Sequence, residues 1–266
     1  MKHLLVLLLI WISAATAFAQ ELYVNTEPAS NMATNSLGIR VENQGYFKPD
    51  FRNRSTLELM YGASKNLMVH GSLFESNFNT NNSHFEGGSV YAKYRFLSVD
   101  SVQRHFRGAF FAKVAAINNP IINQEISLEG DNSGLQGGVV FTQLLHKLAL
   151  SGSASYIRGF NNTGNDIPDA YARNAAAWSL SAGYLLFPKN YTNYKQTNLN
   201  LYFELLGKAN PGYGQGYVDA APAVQLIFNS VMRLDFSYRT PLWNDMTRNS
   251  KNMYLVRLEY NLFNIF

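Results

Sequence analysis

Apolar and polar residues alternate with a period of two along most of this chain. Leu57, Leu59 and Tyr61 alternate with Thr56, Glu58 and Met60. Val90, Ala92, Tyr94 and Phe96 alternate with Tyr91, Lys93 and Arg95, and Leu199, Leu201, Phe203 and Leu205 with Asn198, Asn200, Tyr202 and Glu204. Met232, Leu234, Phe236 and Tyr238 alternate with Arg233, Asp235, Ser237 and Arg239. Tyr254, Val256, Leu258, Tyr260 and Leu262 alternate with Leu255, Arg257, Glu259 and Asn261. Successive side chains of a strand point to opposite faces, so each segment has one apolar and one polar face. Helical spacing would scatter the charges around a cylinder.

The pattern predicts twelve strands, over 35–44, 54–63, 67–76, 88–97, 107–117, 133–144, 148–158, 175–187, 197–208, 219–228, 232–240 and 252–266. Most are near the roughly 9–11 residues with which a tilted strand crosses a bilayer. The connections alternate between long and shorter. Residues 77–87, 118–132, 159–174 and 209–218 are long and rich in Asn, Gly and Ser, whereas 64–66, 145–147 and 229–231 are tight. Outer-membrane barrels have an even strand number, short periplasmic turns and long outer loops. The expected topology therefore has both termini in the periplasm.

Residues paired across a hairpin share a face. Phe228 and Met232 both lie on apolar faces, which predicts a three-residue turn of Asn229, Ser230 and Val231. Pairing Leu59 with Val69 around Ser64 would set Glu58 opposite His70; a slip of two residues would keep the face and change the partner.

A soluble sheet also alternates, but two features favour lipid. Large residues occupy the apolar face of nearly every strand, with aromatics near the ends. Tyr61, Phe96, Phe187, Phe228 and Tyr260 mark one end, and Tyr156, Trp178, Tyr238 and Tyr254 the other. Such belts occur at the two interfaces of membrane barrels. The chain also ends on Phe266, in parity with Leu262 and Tyr260, like the C-terminal signal that barrel-assembly machinery reads; Asn264 departs from that pattern. An open sheet edge in hydrocarbon would leave backbone groups unpaired, so the last strand must close on the first.

Leu4 to Ile12 is an apolar run after Lys2 and His3, and Ala17-Phe18-Ala19 supplies small residues at a signal-peptidase site. This predicts a leader over 1–19, cleaved between Ala19 and Gln20, since the run is too short to span a bilayer. A periplasmic segment over 20–34 and a barrel over 35–266 would follow. No plug or energy-coupling domain is legible. Only 15% of the 266 residues are charged while 14% are aromatic, which excludes a disordered chain. There is no cysteine, which excludes disulfides, thiolate metal sites and a lipidated N-terminal cysteine. A net charge of +4, scattered along the chain, gives no case for nucleic acid as a partner.

The inward face is expected to carry Glu58, His70, Lys93, Arg95, Lys113, Glu204, Arg233, Asp235, Arg257 and Glu259. Arg233, Asp235, Arg257 and Glu259 fall on neighbouring strands, where mutual pairing would cross-link and fill the lumen. The alternative is a charged constriction that selects solutes. His70-Gly71-Ser72 invites comparison with outer-membrane phospholipases, in which a His lies near a Ser. Here both face the lumen, away from lipid, and Leu73-Phe74-Glu75 follows in place of the Asn and Arg context such an enzyme needs. No HExxH or clustered metal pattern occurs. No catalytic residue, metal or cofactor is therefore expected. Gly212-Tyr213-Gly214-Gln215-Gly216 lies outside any strand-to-helix context and reads as a loop, not a phosphate cradle.

Leu57-Glu58-Leu59-Met60-Tyr61-Gly62-Ala63-Ser64-Lys65-Asn66-Leu67 resembles the E-x-x-Y-G-(turn)-N-L hairpin of the outer-membrane transporters associated with the meta-pathway of phenol degradation. Tyr91-Ala92-Lys93-Tyr94-Arg95-Phe96-Leu97 is similar to that family's K-Y-R strand, and Ala223-Val224-Gln225-Leu226-Ile227-Phe228-Asn229 to its late hairpin. The resemblance implies a barrel in the outer membrane of a Gram-negative bacterium that moves small hydrophobic or aromatic molecules. The expectation is one all-β, antiparallel, up-and-down transmembrane barrel of about twelve strands. It would serve as a passive channel, with outer-membrane lipid, the assembly machinery and a small solute as partners. A structural or adhesive surface barrel is the alternative, and a lipid-modifying enzyme a remoter one.

Overall fold

The structure is a computed structural model that describes residues 23–102, 104–190, 195–249 and 251–265. The leader with its Ala17, Ala19 and Gln20 cleavage site, and Phe266 of the assembly signal, lie outside the described residues.

Twelve antiparallel strands form a closed barrel in which each strand pairs with its sequence neighbours and β12 closes on β1. They are β1 Leu37–Tyr46, β2 Arg52–Gly62, β3 Leu67–Ser76, β4 His84–Ser101, β5 Arg104–Ile117, β6 Ser133–Leu145, β7 Leu148–Phe160, β8 Asn174–Phe187, β9 Asn198–Asn210, β10 Gln215–Phe228, β11 Met232–Asn244 and β12 Met253–Leu262. Closure runs from Leu37 opposite Leu262 to Gly45 opposite Tyr254, which removes both free edges.

The alternation decides which face meets lipid. Leu57, Leu59, Tyr94, Leu180, Leu201, Phe203 and Leu258 are exposed on the outside, while Lys93, Glu204 and Glu259, next in sequence to Tyr94, Phe203 and Leu258, are buried within. This apolar belt makes the barrel transmembrane. Phe96, Phe187 and Tyr260 are exposed near the end that carries the short turns, and Tyr156, Trp178 and Tyr238 near the other. We call these the turn end and the loop end.

Several boundaries differ from the sequence pattern. β9 and β10 extend as far as Asn210 and Gln215, so the long loop expected over 209–218 shrinks to four residues. β12 stops at Leu262 rather than running on to 266, because Asn264 takes a left-handed backbone (φ 56° at Asn35 and 54° here), and Ile265 N–H donates to Asn35 O at 3.0 Å. Phe228 pairs with Met232 around Asn229, Ser230 and Val231, as the shared face requires. The β2–β3 hairpin is slipped by two: Tyr61, not Leu59, faces Val69, and Glu58 faces Ser72 rather than His70. Both registers keep the apolar face outward, so alternation could not distinguish them.

The largest departure concerns residues 23–34. They do not lie beneath the barrel as a periplasmic segment; they run into the lumen and cross it near the turn end, as a plug. Tyr23 and Val24 are buried with Leu144, Ala149, Tyr202, Ala223 and Leu255. Ala29 is buried against Ala109 and Val140. Near the loop end, Ile126 and Leu128 of the β5–β6 loop are buried with Phe74, Ile117 and Ile157. The lumen thus has a small apolar cluster towards each end and polar residues between.

Candidate functional site

Glu204 anchors the segment. Fully buried on β9, it accepts hydrogen bonds from Val24 N–H (3.1 Å), Asn25 N–H (2.7 Å), the Asn25 side-chain amide (3.1 Å), the Thr26 hydroxyl (2.6 Å) and the Ser181 hydroxyl (3.1 Å). Bonds to an ionised acceptor are about twice as strong as neutral ones. On the opposite wall Lys93 Nζ donates to Pro28 O (2.6 Å) and Ser30 O (2.8 Å), and Arg107 to Ser30 Oγ (2.9 Å). Ala29 N–H donates to Thr142 Oγ1 at 2.9 Å. Backbone groups that water would otherwise satisfy are thus met by lumen side chains.

Glu27 extends from the segment into the charged wall. Burial raises its pKa, but Arg40, Lys93 and His70 outweigh burial and hold it at about 2. Arg40 Nη1 lies 3.1 Å from Glu27 and 2.7 Å from Glu58, and its Nε lies 2.9 Å from Glu259. Arg233 lies 2.9 Å from Glu259 and 3.0 Å from Asp235, and Arg257 lies 2.5 Å from Glu42 and 3.6 Å from Asp235. One network therefore joins β1, β2, β11 and β12.

The ten charged candidates do not form one ring. Glu58, His70, Arg233, Asp235, Arg257 and Glu259 belong to or adjoin this network, while Lys93 and Glu204 hold the segment. Lys113 bonds Glu129 of the β5–β6 loop. Arg95 sits at the turn end, where it donates to Lys65 O at 2.6 Å.

The geometry does not join His70 and Ser72 as a hydrolytic pair. Ser72 donates to Glu58 Oε2 at 2.9 Å, and His70 Nδ1 lies 3.3 Å from Glu58 Oε1, so both turn to the carboxylate rather than to each other. His70 Nε2 is buried without a hydrogen-bond partner among the described residues. Glu27, Glu58 and His70 bring ligand atoms within 4.8 Å of one another. The Arg40 guanidinium lies against both carboxylates, however, and its charge opposes a metal ion there.

Towards the loop end, the β5–β6 loop, residues 118–132, folds inward. Arg54 is its main anchor, with Nε 2.7 Å from Glu86 and Nη2 2.7 Å from Asp131. Asn119 donates to Glu86 at 2.7 Å. Glu125 lies 2.8 Å from Lys208 and accepts from the Tyr217 hydroxyl at 2.7 Å. Burial raises its pKa, but Lys208 and Arg239 hold it at about 2. The β11–β12 loop joins this closure: Arg248 pairs with buried Asp219 at 2.5 Å, and Asn249 donates to Asp131 at 2.8 Å.

Arg40, Arg54, Lys208, Asp219, Arg239 and Arg248 were not among the ten inward candidates, although Arg239 lies on the polar face of its alternating segment. Parity alone reveals Arg40, beside outward Ile39 and Val41, and Arg239, beside outward Tyr238. Glu86 was hidden by a bulge. It shares parity with outward Val90, but the register shifts between Phe74 and Glu75 opposite Gly87, whose φ is 127°. That conformation suits glycine, and it turns Glu86 inward.

Between the two closures lies a cavity of about 210 Å³. Asn25, Thr26 and Glu27 border it on one side and Glu129 on another, with β1, β2 and β12 among its walls. The wall itself has a weak point. β10 and β11 pair from Asp219–Pro241 to Ala220–Thr240 and resume at Ala223–Ser237, with no pairing at Ala221 and Pro222. Pro222 lacks an N–H for the ladder. A groove beside it is lined by outward Val224, Phe236 and Tyr238 and by inward Tyr202, Ala223 and Leu255.

No family model and no curated protein matches this sequence. Solved structures do. An outer-membrane channel from Pseudomonas putida F1 is similar over 90% of this chain and 100% of its own, with a TM-score of 0.61 and 12% identity. The KdgM porin is similar over 85% and 98%, at 0.49 and 11%. Outer membrane phospholipase A from Escherichia coli is similar over 93% and 96%, at 0.41 and 12%. The first likeness establishes the fold as that of an outer-membrane barrel; the other two scores are too low to carry an argument.

Proposed function

We propose that the protein is a passive route for small molecules across the outer membrane, with both termini in the periplasm. The observation that carries this reading is a polar cavity inside an apolar-belted barrel, bounded by a segment held through side-chain bonds rather than by strand pairing. Segment 23–34 is the gate on the turn side, and loop 118–132 narrows the loop side. Displacing the segment joins the cavity to the periplasm. The test is ion conductance of the purified full chain in planar bilayers, with solute uptake by liposomes. Conductance that rises when the segment's anchors are removed supports the reading. A folded barrel that neither conducts nor admits solutes, with or without those anchors, would return the structural or adhesive role.

The gap at Pro222 favours a second route for apolar solutes, from lumen to bilayer through the wall. It agrees with the hydrophobic or aromatic molecules implied by the resemblance to the phenol meta-pathway transporters. Uptake of a neutral aromatic such as toluene that depends on this gap, and not on the segment, would distinguish it.

A further inference from the structure

The cavity offers two kinds of group, and only one is available to a solute. Its charges are already matched. Arg40 pairs with Glu27 and Glu58, Arg257 with Glu42, Lys113 with Glu129, and Arg239 with Asp219. Except at Lys113, whose partner Glu129 is half-exposed, a solute of net charge would have to displace a largely buried member of a pair and leave a charge uncompensated, which is strongly unfavourable.

His70 also borders the cavity, but its unpartnered Nε2 is itself buried, and the groups left over for a solute are neutral. Gln44, Thr56 and Tyr91 line the cavity, and their side chains have no hydrogen-bond partner among the described residues. The amide of Gln44 brings two donors and an acceptor, and each hydroxyl can both give and accept. Tyr91 is held in place, its ring 5.0 Å from that of His70 and stacked at 5.8 Å on Phe111. Its hydroxyl therefore needs little ordering when a solute arrives. The cavity, at about 210 Å³, is smaller than the roughly 300–1,000 Å³ of drug-sized ligand sites.

We propose that this cavity binds a neutral, polyhydroxylated solute no larger than a single sugar ring. The inference rests on the passive-route reading and names a solute class for it. Alternating donors and acceptors on such a solute match the free amide and hydroxyls, and its neutrality leaves every ion pair intact.

Equilibrium binding to the full chain in detergent tests this directly. D-glucose is compared with D-glucuronate and D-glucosamine, which keep the ring and add a charge of either sign. Saturable glucose binding is expected to be about tenfold tighter than that of either charged analogue, and to weaken about tenfold in Gln44→Ala and in Tyr91→Phe. Thr56→Val keeps the shape and should weaken it in the same direction. The heat-dependent gel mobility of each variant reports that the barrel is folded. Equal or tighter binding of a charged analogue, binding indifferent to all three substitutions, or no saturable glucose binding by the folded protein would each overturn the proposal. Bilayer conductance separates the two readings. Conductance without glucose binding removes only this inference, whereas binding without conductance upholds the site and removes the route.

Discussion

The Thr26 hydroxyl donates to Glu204 Oε2 at 2.6 Å across 178 residues of chain, and so ties the segment before β1 to the middle of β9. Four further hydrogen bonds converge on the same carboxylate. Hydrogen bonds to a charged group contribute about 1.5–3 kcal/mol each. Glu204→Ala should therefore shift the segment towards release and raise mean single-channel conductance about tenfold or more, while Glu204→Gln has a smaller effect. A folded Glu204→Ala barrel with unaltered conductance would show that the segment is no gate.

Acid should release the same segment through Glu27. Its pKa is about 2 when docked, against an ordinary value of 4.5. A depressed pKa favours the docked state above the ordinary value, and this contribution is lost as pH falls through the depressed one. Conductance should thus be constant from pH 8 to 5 and rise between about 4.5 and 2. Glu27→Gln should remove much of that acid-induced change. A rise confined to neutral pH would point to another group.

Side-chain parity made the barrel legible, because lipid outside and polar residues inside leave each strand little choice of face. The same rule predicted the Phe228–Met232 turn and put Lys93 and Glu204 on the inner wall. It was blind where one face offers two equivalent answers, as in the slip that pairs Tyr61 with Val69. It also failed where a bulge resets parity, as at Glu86. Residues 23–34 escaped for a different reason. They form no strand, and their bonds to Glu204 and Lys93 span 63 to 180 residues, beyond any local pattern. A warning was present in Glu204 and Lys93, whose buried charges needed partners from somewhere.

Arg54 should be the most damaging single truncation at the loop end. It is 2% exposed and pairs with both Glu86 and Asp131. Removing one member of a buried pair costs about 3–5 kcal/mol, because the remaining charge is uncompensated. Arg54→Met should lower resistance to heat in detergent and expose loop 118–132 to protease. Adding Glu86→Gln should restore part of the stability, since one stranded charge is then removed. If Arg54→Met alone leaves both readouts unchanged, the loop is held by its other contacts.

Pro222 interrupts the β10–β11 ladder, and restoring an N–H there should strengthen the wall. Pro222→Ala supplies a donor at the break in the β10–β11 ladder between Ala220–Thr240 and Ala223–Ser237. One backbone bond contributes about 0.5–1.5 kcal/mol, and local opening should fall by about a factor of 2 to 13. Hydrogen exchange should slow over residues 220–223 and 237–240 but not over β5–β7. Uptake of toluene by liposomes should fall, while ion conductance through the lumen stays as it was. Slower exchange with undiminished toluene uptake would place the apolar route elsewhere. A parallel fall in conductance would mean that both solutes share the lumen.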